Sequence, residues 1–199
     1  MTVKNLSNRK EIRLAGEGGQ GMILAGIILA EAAAIYDNKN ATQTQSYGPE
    51  ARGGASKAEV VIDQGEIDHP EVILADVLLA MSQEACDKYA GNLKKDGILI
   101  VDQERVGRVP SNRAIKVPIT RLAEESSGRS ITANVVALGV LVGLTGVVSR
   151  QAITQAVAAR APKGTEEMNR AALLAGFAAA DLVARSDCQK HKQISETCG

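Results

Sequence analysis

The segment from Glu11 to Ile35, EIRLAGEGGQGMILAGIILAEAAAI, carries the clearest signal of the fold. It begins with a short β-compatible run to Ala15 and passes into a loop with four glycines in six residues. Met22 then begins an apolar, alanine-rich run that is long enough for a helix. A strand, a glycine turn and a helix in this order open a βαβ unit, so the segment predicts an α/β sheet.

The glycine loop has two interpretations. Gly16, Gly18 and Gly21 match G-x-G-x-x-G between a strand and a helix, where main-chain N–H groups can approach an anion closely. The alternative is a tight packing turn without a ligand. A dinucleotide site normally adds an acidic residue at the end of the second strand, about 20 residues on. Asp37 falls instead in a predicted helix-ending turn, so ordinary NAD binding is not expected.

A second unusual loop, QTQSYGPEARGG, spans residues 43–54. Its proline and three glycines predict a fixed, irregular backbone. Tyr47 can stack or donate a hydrogen bond, Arg52 can bind a phosphate or carboxylate, and Glu50 can hold Arg52. A solvated turn with an internal Glu–Arg pair is the alternative. So many special residues in one loop favour a function.

The rest of the chain alternates short apolar runs with helical patterns, which predicts a mostly parallel, Rossmann-like sheet flanked by helices. The polar Ala41–Gln45 gives no clear strand signal. We predict further strands at Ala58–Ile62, Asp76–Met81, Ile98–Val101 and Ala114–Val117. The C-terminal third is predicted to be helical, over Thr132–Thr145, Arg150–Arg160 and Glu166–Ala184. Residues 1–185 are expected to form one domain and residues 186–199 a disordered tail.

The last predicted helix carries a stripe of small side chains. Core packing and contact with a partner explain this stripe equally well. Its members are Ala171, Ala175, Ala178 and Leu182.

Composition excludes several function classes. The 23 basic and 23 acidic residues balance, and aromatic residues make up only 2%, which argues against binding to nucleic acid or to acidic membranes. Three cysteines without a signal peptide predict a cytoplasmic protein, and without a CxxC pair no iron–sulfur cluster is expected. The uncharged run from Ser130 to Ser149 is interpreted as buried helix broken near Gly146, not as a membrane span.

No catalytic or metal-binding residue is predicted. His69 precedes a proline in a loop and is expected at the surface, and Cys86 is expected to be a small buried residue. Cys188, His191 and Cys198 lie in the polar C-terminal stretch, where a metal site is not expected because a fourth ligand is missing. The chain therefore resembles a ligand-holding, partner-dependent subunit more than a complete enzyme.

Three stretches of the chain resemble the gamma subunit of the 2-oxoacid:ferredoxin oxidoreductases. They are RLAGEGGQG at 13–21, QSYGPEARGG at 45–54 and ADVLLAM at 75–81. Asn134, followed by ALG at 137–139, also fits the helical segment of this family. The similarity runs from about residue 10 to 184. The paired loops are far more specific than a lone glycine motif, and their sequences are most similar to those of the 2-oxoglutarate type.

The resemblance implies a complex that oxidatively decarboxylates a 2-oxoacid with coenzyme A to acyl-CoA, CO2 and reduced ferredoxin. Thiamine diphosphate, Mg2+ and iron–sulfur clusters are then expected on partner subunits, namely alpha and beta, with delta as a further candidate. The resemblance also implies contact with coenzyme A, or bracing of a partner subunit, by the two loops. The residues concerned are Gly16, Gly18, Gly19, Gln20, Gly21, Ser46, Tyr47, Glu50, Arg52, Gly53 and Gly54.

Two alternatives remain beside this interpretation. The chain can be an assembly scaffold whose loops dock on partner subunits without a ligand. It can also be a stand-alone nucleotide-binding oxidoreductase, although the missing acidic ribose ligand and the missing acid–base pair argue against this. An isolated gamma-type chain is expected to be inactive.

Overall fold

A six-stranded sheet forms the centre of the computed structural model, which describes residues 9–46, 55–110 and 114–197, and no side chains beyond residue 186. The strand order is β2-β3-β1-β4-β5-β6. β4 and β5 lie where apolar runs predict buried strands. The strands are β1 Lys10–Glu17, β2 Asn40–Ser46, β3 Ala55–Asp63, β4 Ala75–Ala80, β5 Leu93–Asp102 and β6 Ile115–Val117.

The direction of the strands changes across the sheet. β1, β4, β5 and β6 run parallel to one another, which confirms the predicted Rossmann-like half. β3 instead pairs antiparallel with both β1 and β2, so the sheet is mixed. The connection between β2 and β3 covers only residues 47–54, and a parallel crossover needs a dozen residues or more. β2 and β3 can therefore pair only as a hairpin.

Helices cover both faces of the sheet. The larger core joins inward residues of the strands, such as Leu14 and Val60, to α1, α3, α4, α5 and α6. On the other face, α2 packs through Ala85 and Cys86 against Leu78 and Val101. The helices are α1 Met22–Glu31, α2 Gln83–Tyr89, α3 Ile119–Ser127, α4 Ala133–Thr145, α5 Arg150–Arg160 and α6 Glu166–Thr197.

The uncharged run after Ser130 is the buried helix α4 followed by the start of α5. All residues of α4 from Ala133 to Val142 are buried. Gly146 ends the helix with φ 60°, and the Ser149 hydroxyl accepts a hydrogen bond from the N–H of Ala152 to begin α5. In the part of the chain that the structure describes, no helix is long and apolar enough to cross a membrane.

α4 and α6 cross at two glycines. A Cβ atom on Gly176 would lie 2.3 Å from the carbonyl oxygen of Val136, and one on Gly139 would lie 2.5 Å from the carbonyl oxygen of Leu173. The two backbones therefore touch directly. This contact uses a different face of α6 from the predicted small-residue stripe, because Ala178 and Leu182 of that stripe are exposed.

Helix α6 extends beyond residue 185, into the stretch for which a tail is predicted. The backbone of α6 continues as a helix to Thr197. Between Phe177 and Cys198 the sequence has neither glycine nor proline, so no helix-breaking residue interrupts this stretch.

Candidate functional site

The glycine loop connects the carboxyl end of β1 to the first turn of α1. Gly19 and Gly21 adopt φ values of 93° and 73°, a region that side chains other than glycine rarely enter. Gly21 is the residue that precedes α1, and no side chain caps this helix. The glycines at these two positions are therefore required by the backbone itself.

Gln20 fixes the shape of this loop. Its side-chain oxygen accepts a hydrogen bond of 2.7 Å from the N–H of Glu17, and its Nε2 donates one of 3.1 Å to the carbonyl oxygen of Met81. The amide thus ties the loop to the end of β4. A Cβ atom on Gly16 would lie 2.4 Å from the Gln20 oxygen, so a larger residue there would displace the amide from these hydrogen bonds. Both polar atoms of this amide are therefore hydrogen-bonded to main-chain groups of the protein.

The N–H groups of Gly18, Gly19 and Gly21 have no hydrogen-bond partner among the described residues. They precede the uncapped N-terminus of α1, where the helix dipole adds partial positive charge. Among residues 9–46, 55–110 and 114–197, no atom lies within 4 Å of a Cβ placed on Gly18 or Gly19, so this part of the chain leaves the outer side of the loop open. This arrangement can accept a phosphate or a carboxylate.

Asn134 of α4 closes the inner side of the loop. Its Nδ2 lies 3.4 Å from the carbonyl oxygen of Gly21, and a Cβ atom on Gly21 would come within 2.6 Å of the same nitrogen. Asn134 is only 6% exposed. The family resemblance points to Asn134, but local sequence does not predict its contact with the loop, because α4 lies more than a hundred residues later in the chain.

An apolar groove continues from the glycine loop along α1. It has a volume of about 360 Å³, and Ile23, Leu24 and Ile27 line it together with the loop glycines and Ser56. Leu24 is 42% exposed. The hydroxyl of Ser56 donates to the carbonyl oxygen of Gly16 at 3.2 Å, which joins the start of β3 to the loop.

The strand register brings the two sequence loops to the same end of the sheet. Ser46, the last residue of β2, pairs with Lys57, and Ser56 pairs with Gly16. The chain therefore leaves β2 at the end of the sheet where the glycine loop begins, with β3 between the two strands. Five of the predicted site residues lie outside the described residues. These are Tyr47, Glu50, Arg52, Gly53 and Gly54.

The remaining cysteine and histidine candidates lie in environments that suit a structural role. Burial, together with the neighbouring Asp87, raises the pKa of the Cys86 thiol, as for an unreactive core cysteine. The side chain of His69 is 56% exposed. Cys188, His191 and Cys198 fall where side chains are not described. Within the described ranges, no group of three or more His, Cys, Asp or Glu residues could hold a metal ion.

Asp37 does not take the place of a ribose-binding carboxylate. It accepts hydrogen bonds from the N–H and the hydroxyl of Ser149, at 2.7 and 2.6 Å, and pairs with Lys39. Burial opposes ionisation of this carboxyl, but these hydrogen bonds and the Lys39 charge together lower its pKa. Asp37 follows the π-helical turn Ala32–Tyr36, which continues α1, and thus joins this turn to the start of α5.

Known proteins resemble this chain closely. A family model described as pyruvate ferredoxin/flavodoxin oxidoreductase matches residues 11–179. The 2-oxoglutarate synthase subunit KorC of Methanocaldococcus jannaschii is 50% identical over 181 residues, which cover 89% of this chain and 97% of that protein. The crystal structure of a keto/oxoacid ferredoxin oxidoreductase gamma subunit from Geobacter sulfurreducens is 50% identical, with a TM-score of 0.79 over 87% of this chain and 97% of that one.

A more distant structure shares the fold. The 2-oxoglutarate:ferredoxin oxidoreductase of Magnetococcus marinus, solved with 2-oxoglutarate, coenzyme A and succinyl-CoA bound, gives a TM-score of 0.77 at 22% identity. The match covers 87% of this chain but 31% of that chain, so there the same fold is one part of a longer polypeptide.

Proposed function

Because the chain belongs to the pyruvate ferredoxin/flavodoxin oxidoreductase family, we propose that it is the gamma-type subunit of a 2-oxoglutarate:ferredoxin oxidoreductase. The complex would convert 2-oxoglutarate and coenzyme A to succinyl-CoA and CO2 and pass the electrons to ferredoxin. The 2-oxoglutarate assignment is supported by the KorC relative at 50% identity over nearly the whole chain.

We propose that the chain supplies a binding surface and no reacting group. Thiamine diphosphate, Mg2+ and the iron–sulfur clusters would be bound by alpha and beta subunits, or a delta subunit, in the cytoplasm. The open N–H groups at the start of α1 support this role, because they suit the phosphates of coenzyme A and need no change of protonation. Arg52, in the neighbouring loop, is proposed to add a positive charge.

The observation that carries the proposal is the open outer side of the glycine loop. No described residue has an atom within 4 Å of the place that a Cβ on Gly18 would occupy, and the φ of Gly18 is not in the left-handed region. Alanine at this position therefore fits the subunit itself. Its methyl group would project outward, into the space that a bound phosphate needs.

The test is Gly18→Ala in the assembled complex, purified without oxygen and assayed by dye reduction. We expect the KM for coenzyme A to rise by roughly tenfold or more, equivalent to about 1.4 kcal/mol, while the subunits stay together. Gly91→Ala is the matched control, because a Cβ there also meets no atom within 4 Å and the residue lies in a short turn after α2. Unchanged coenzyme A kinetics in Gly18→Ala would contradict coenzyme A binding at this loop.

A second candidate function is an assembly scaffold without a ligand. The apolar groove beside the loop favours it, because Ile23, Leu24 and Ile27 offer a surface that suits a partner subunit better than a phosphate. Under this alternative Gly18→Ala would release the subunit from the complex. Arg52→Ala separates the two ideas further: a ligand role predicts weaker coenzyme A binding with assembly intact.

A stand-alone nucleotide-binding oxidoreductase is the least supported alternative. Asp37 lies before the start of β2 and is engaged by Ser149 and Lys39, and β2 itself, NATQTQS, contains no acidic residue. Binding of NAD by the isolated chain, measured by calorimetry, would favour this alternative.

A further inference from the structure

The side-chain amide of Asn134 is buried beside the glycine loop but is poorly hydrogen-bonded. The residue is only 6% exposed. Its Nδ2 lies 3.4 Å from the carbonyl oxygen of Gly21, and it makes no other hydrogen bond within the described residues. That oxygen already accepts a hydrogen bond of 2.9 Å from the N–H of Ala25, inside the first turn of α1. One long bond to an oxygen that is already engaged compensates poorly for the burial of an amide.

The other amide at this loop is hydrogen-bonded quite differently. Both polar atoms of the Gln20 side chain are hydrogen-bonded, at 2.7 and 3.1 Å, and these bonds set the shape of the loop. The Nδ2 of Asn134 carries two hydrogens, and the carbonyl oxygen of Gly21 takes only one of them. Within the described residues, the second hydrogen has no acceptor. Buried polar groups are normally paired, so this spare donor indicates a partner outside the chain.

Asn134 lies where the first turns of two helices meet. It belongs to the first turn of α4, and the residue that it contacts, Gly21, precedes α1. Neither helix has a side-chain cap or an acidic residue in its first turn. The hydroxyl of Thr132, just before α4, donates to the carbonyl oxygen of Arg129 instead. The two helix dipoles therefore bring partial positive charge together here, and neither first turn supplies a carboxylate to balance it.

We propose that Asn134 binds the ligand of the glycine loop, and that its Nδ2 donates the second hydrogen to a phosphate of coenzyme A. This inference rests on the proposed function, which places that phosphate at the open N–H groups of the loop. A Cβ atom on Gly21 would lie 2.6 Å from Nδ2, so Nδ2 is close to the Cα of Gly21, whose own N–H is one of the open donors. A single phosphate, with several acceptor oxygens, can accept from both.

A purely supporting role for Asn134 makes a different prediction for stability. If the amide held the loop in place, leucine, which has a similar size and no polar atom, would destabilise the chain. If the amide is instead kept for a ligand, leucine removes a poorly paired polar group from a buried place, and the free energy of unfolding should not fall. Ligand binding and stability therefore respond differently under the two roles.

The test is Asn134→Leu in the assembled complex, purified without oxygen and assayed by dye reduction. We expect the KM for coenzyme A to rise roughly tenfold or more while kcat stays unchanged, because a binding contact and no reacting group is lost. The urea midpoint of the full chain should not fall. Asn134→Asp should raise the KM further, because its carboxylate repels the phosphate and occupies the positive helix ends itself.

Asn40→Leu is the matched control. The Nδ2 of Asn40 also donates to a backbone carbonyl, that of Gly65 at 2.8 Å. Asn40 begins β2, at the opposite end of that strand from Ser46 and thus from the glycine loop. Its replacement should leave the KM for coenzyme A unchanged.

Two results would overturn the proposed contact. One is a KM for coenzyme A in Asn134→Leu within about twofold of wild type. The other is a raised KM together with a lower urea midpoint, because that combination marks a residue that only supports the loop. Gly18→Ala separates this proposal from the function on which it rests. If Gly18→Ala raises the KM and Asn134→Leu does not, the loop binds coenzyme A without Asn134; if neither does, coenzyme A does not bind at this loop.

Discussion

The shape of the glycine loop depends most on Gln20, through its side-chain amide. It bridges the N–H of Glu17 and the carbonyl oxygen of Met81, at 2.7 and 3.1 Å, and so joins the ends of β1 and β4. Its proposed role therefore changes from ligand contact to positioning. The residue keeps the open N–H groups of Gly18 and Gly19 facing outward.

We expect Gln20→Ala to lower the free energy of unfolding by about 1–3 kcal/mol, because two hydrogen bonds are lost and the Met81 carbonyl loses its donor. The KM for coenzyme A in the complex should rise as well, since the loop is no longer held in place. Urea unfolding and steady-state kinetics measure the two effects. Gln103→Ala, at an exposed position after β5, is the control. Equal stability of these two variants would contradict the bridging role.

At this scale the sequence predicts some contacts and conceals others. The left-handed turns at Gly19 and Gly21 follow from the local pattern, because glycine alone enters that region freely. The role of Gln20 does not, since Met81 lies 61 positions further along the chain. The contact between Asn134 and Gly21 is hidden for the same reason. Local spacing cannot show which distant segment will lie beside a loop.

Among the elements, the crossing of α4 and α6 has the least tolerance to change. Gly176→Ala would put a methyl group 2.3 Å from a backbone oxygen, and neither helix backbone can move aside easily. We expect a loss of about 3 kcal/mol or more, at the upper end for overpacked sites. Thermal unfolding of the full chain, compared with Gly91→Ala, measures this. A melting temperature within one or two degrees of the control would disprove direct backbone contact.

The sequence predicts the buried strands, but it does not predict the edge strand β2 or the packing of α6. β4 and β5 are recognisable because buried parallel strands are continuously apolar. β2 is missed because an edge strand does not need apolar residues, and its polar sequence gives no periodic signal. The stripe on α6 was assigned no single partner, since small residues line both sides of this helix. Only the three-dimensional packing shows that Gly176, and not Ala178, meets α4.

At the scale of the whole molecule, the proposed domain ends near residue 185. The buried side chains of α6 all come earlier among the described residues, the last large one being Phe177. A chain that ends after Ser186 should therefore unfold within about 0.5 kcal/mol of the full chain, as for a change away from any core. Urea unfolding of the two chains checks this. A second chain that ends before Gly176 should not fold, because it lacks the partner of α4.

The sheet as a whole explains why the end of β2 and the start of the glycine loop lie at the same end of the molecule. The antiparallel β3 lies between β1 and β2, so Ser46 and Gly16 are one strand apart at this end. The α/β class was predictable from the alternation of strands and helices. The position of β3 was not, because a mixed sheet depends on long-range pairing, which the order of elements leaves open.

The contact between Gly139 and Gly176 also has a consequence for how the protein is made. α4 is apolar on all sides, and the face that carries Val136 and Gly139 is covered only when α6 is made. On the ribosome, α4 therefore emerges well before the segment that shields it, and a nascent chain exposes this helix to the cell. Slow translation between the two helices would prolong that exposure. Yield in living cells should thus depend on chaperones that bind nascent chains more than the stability of the finished protein suggests.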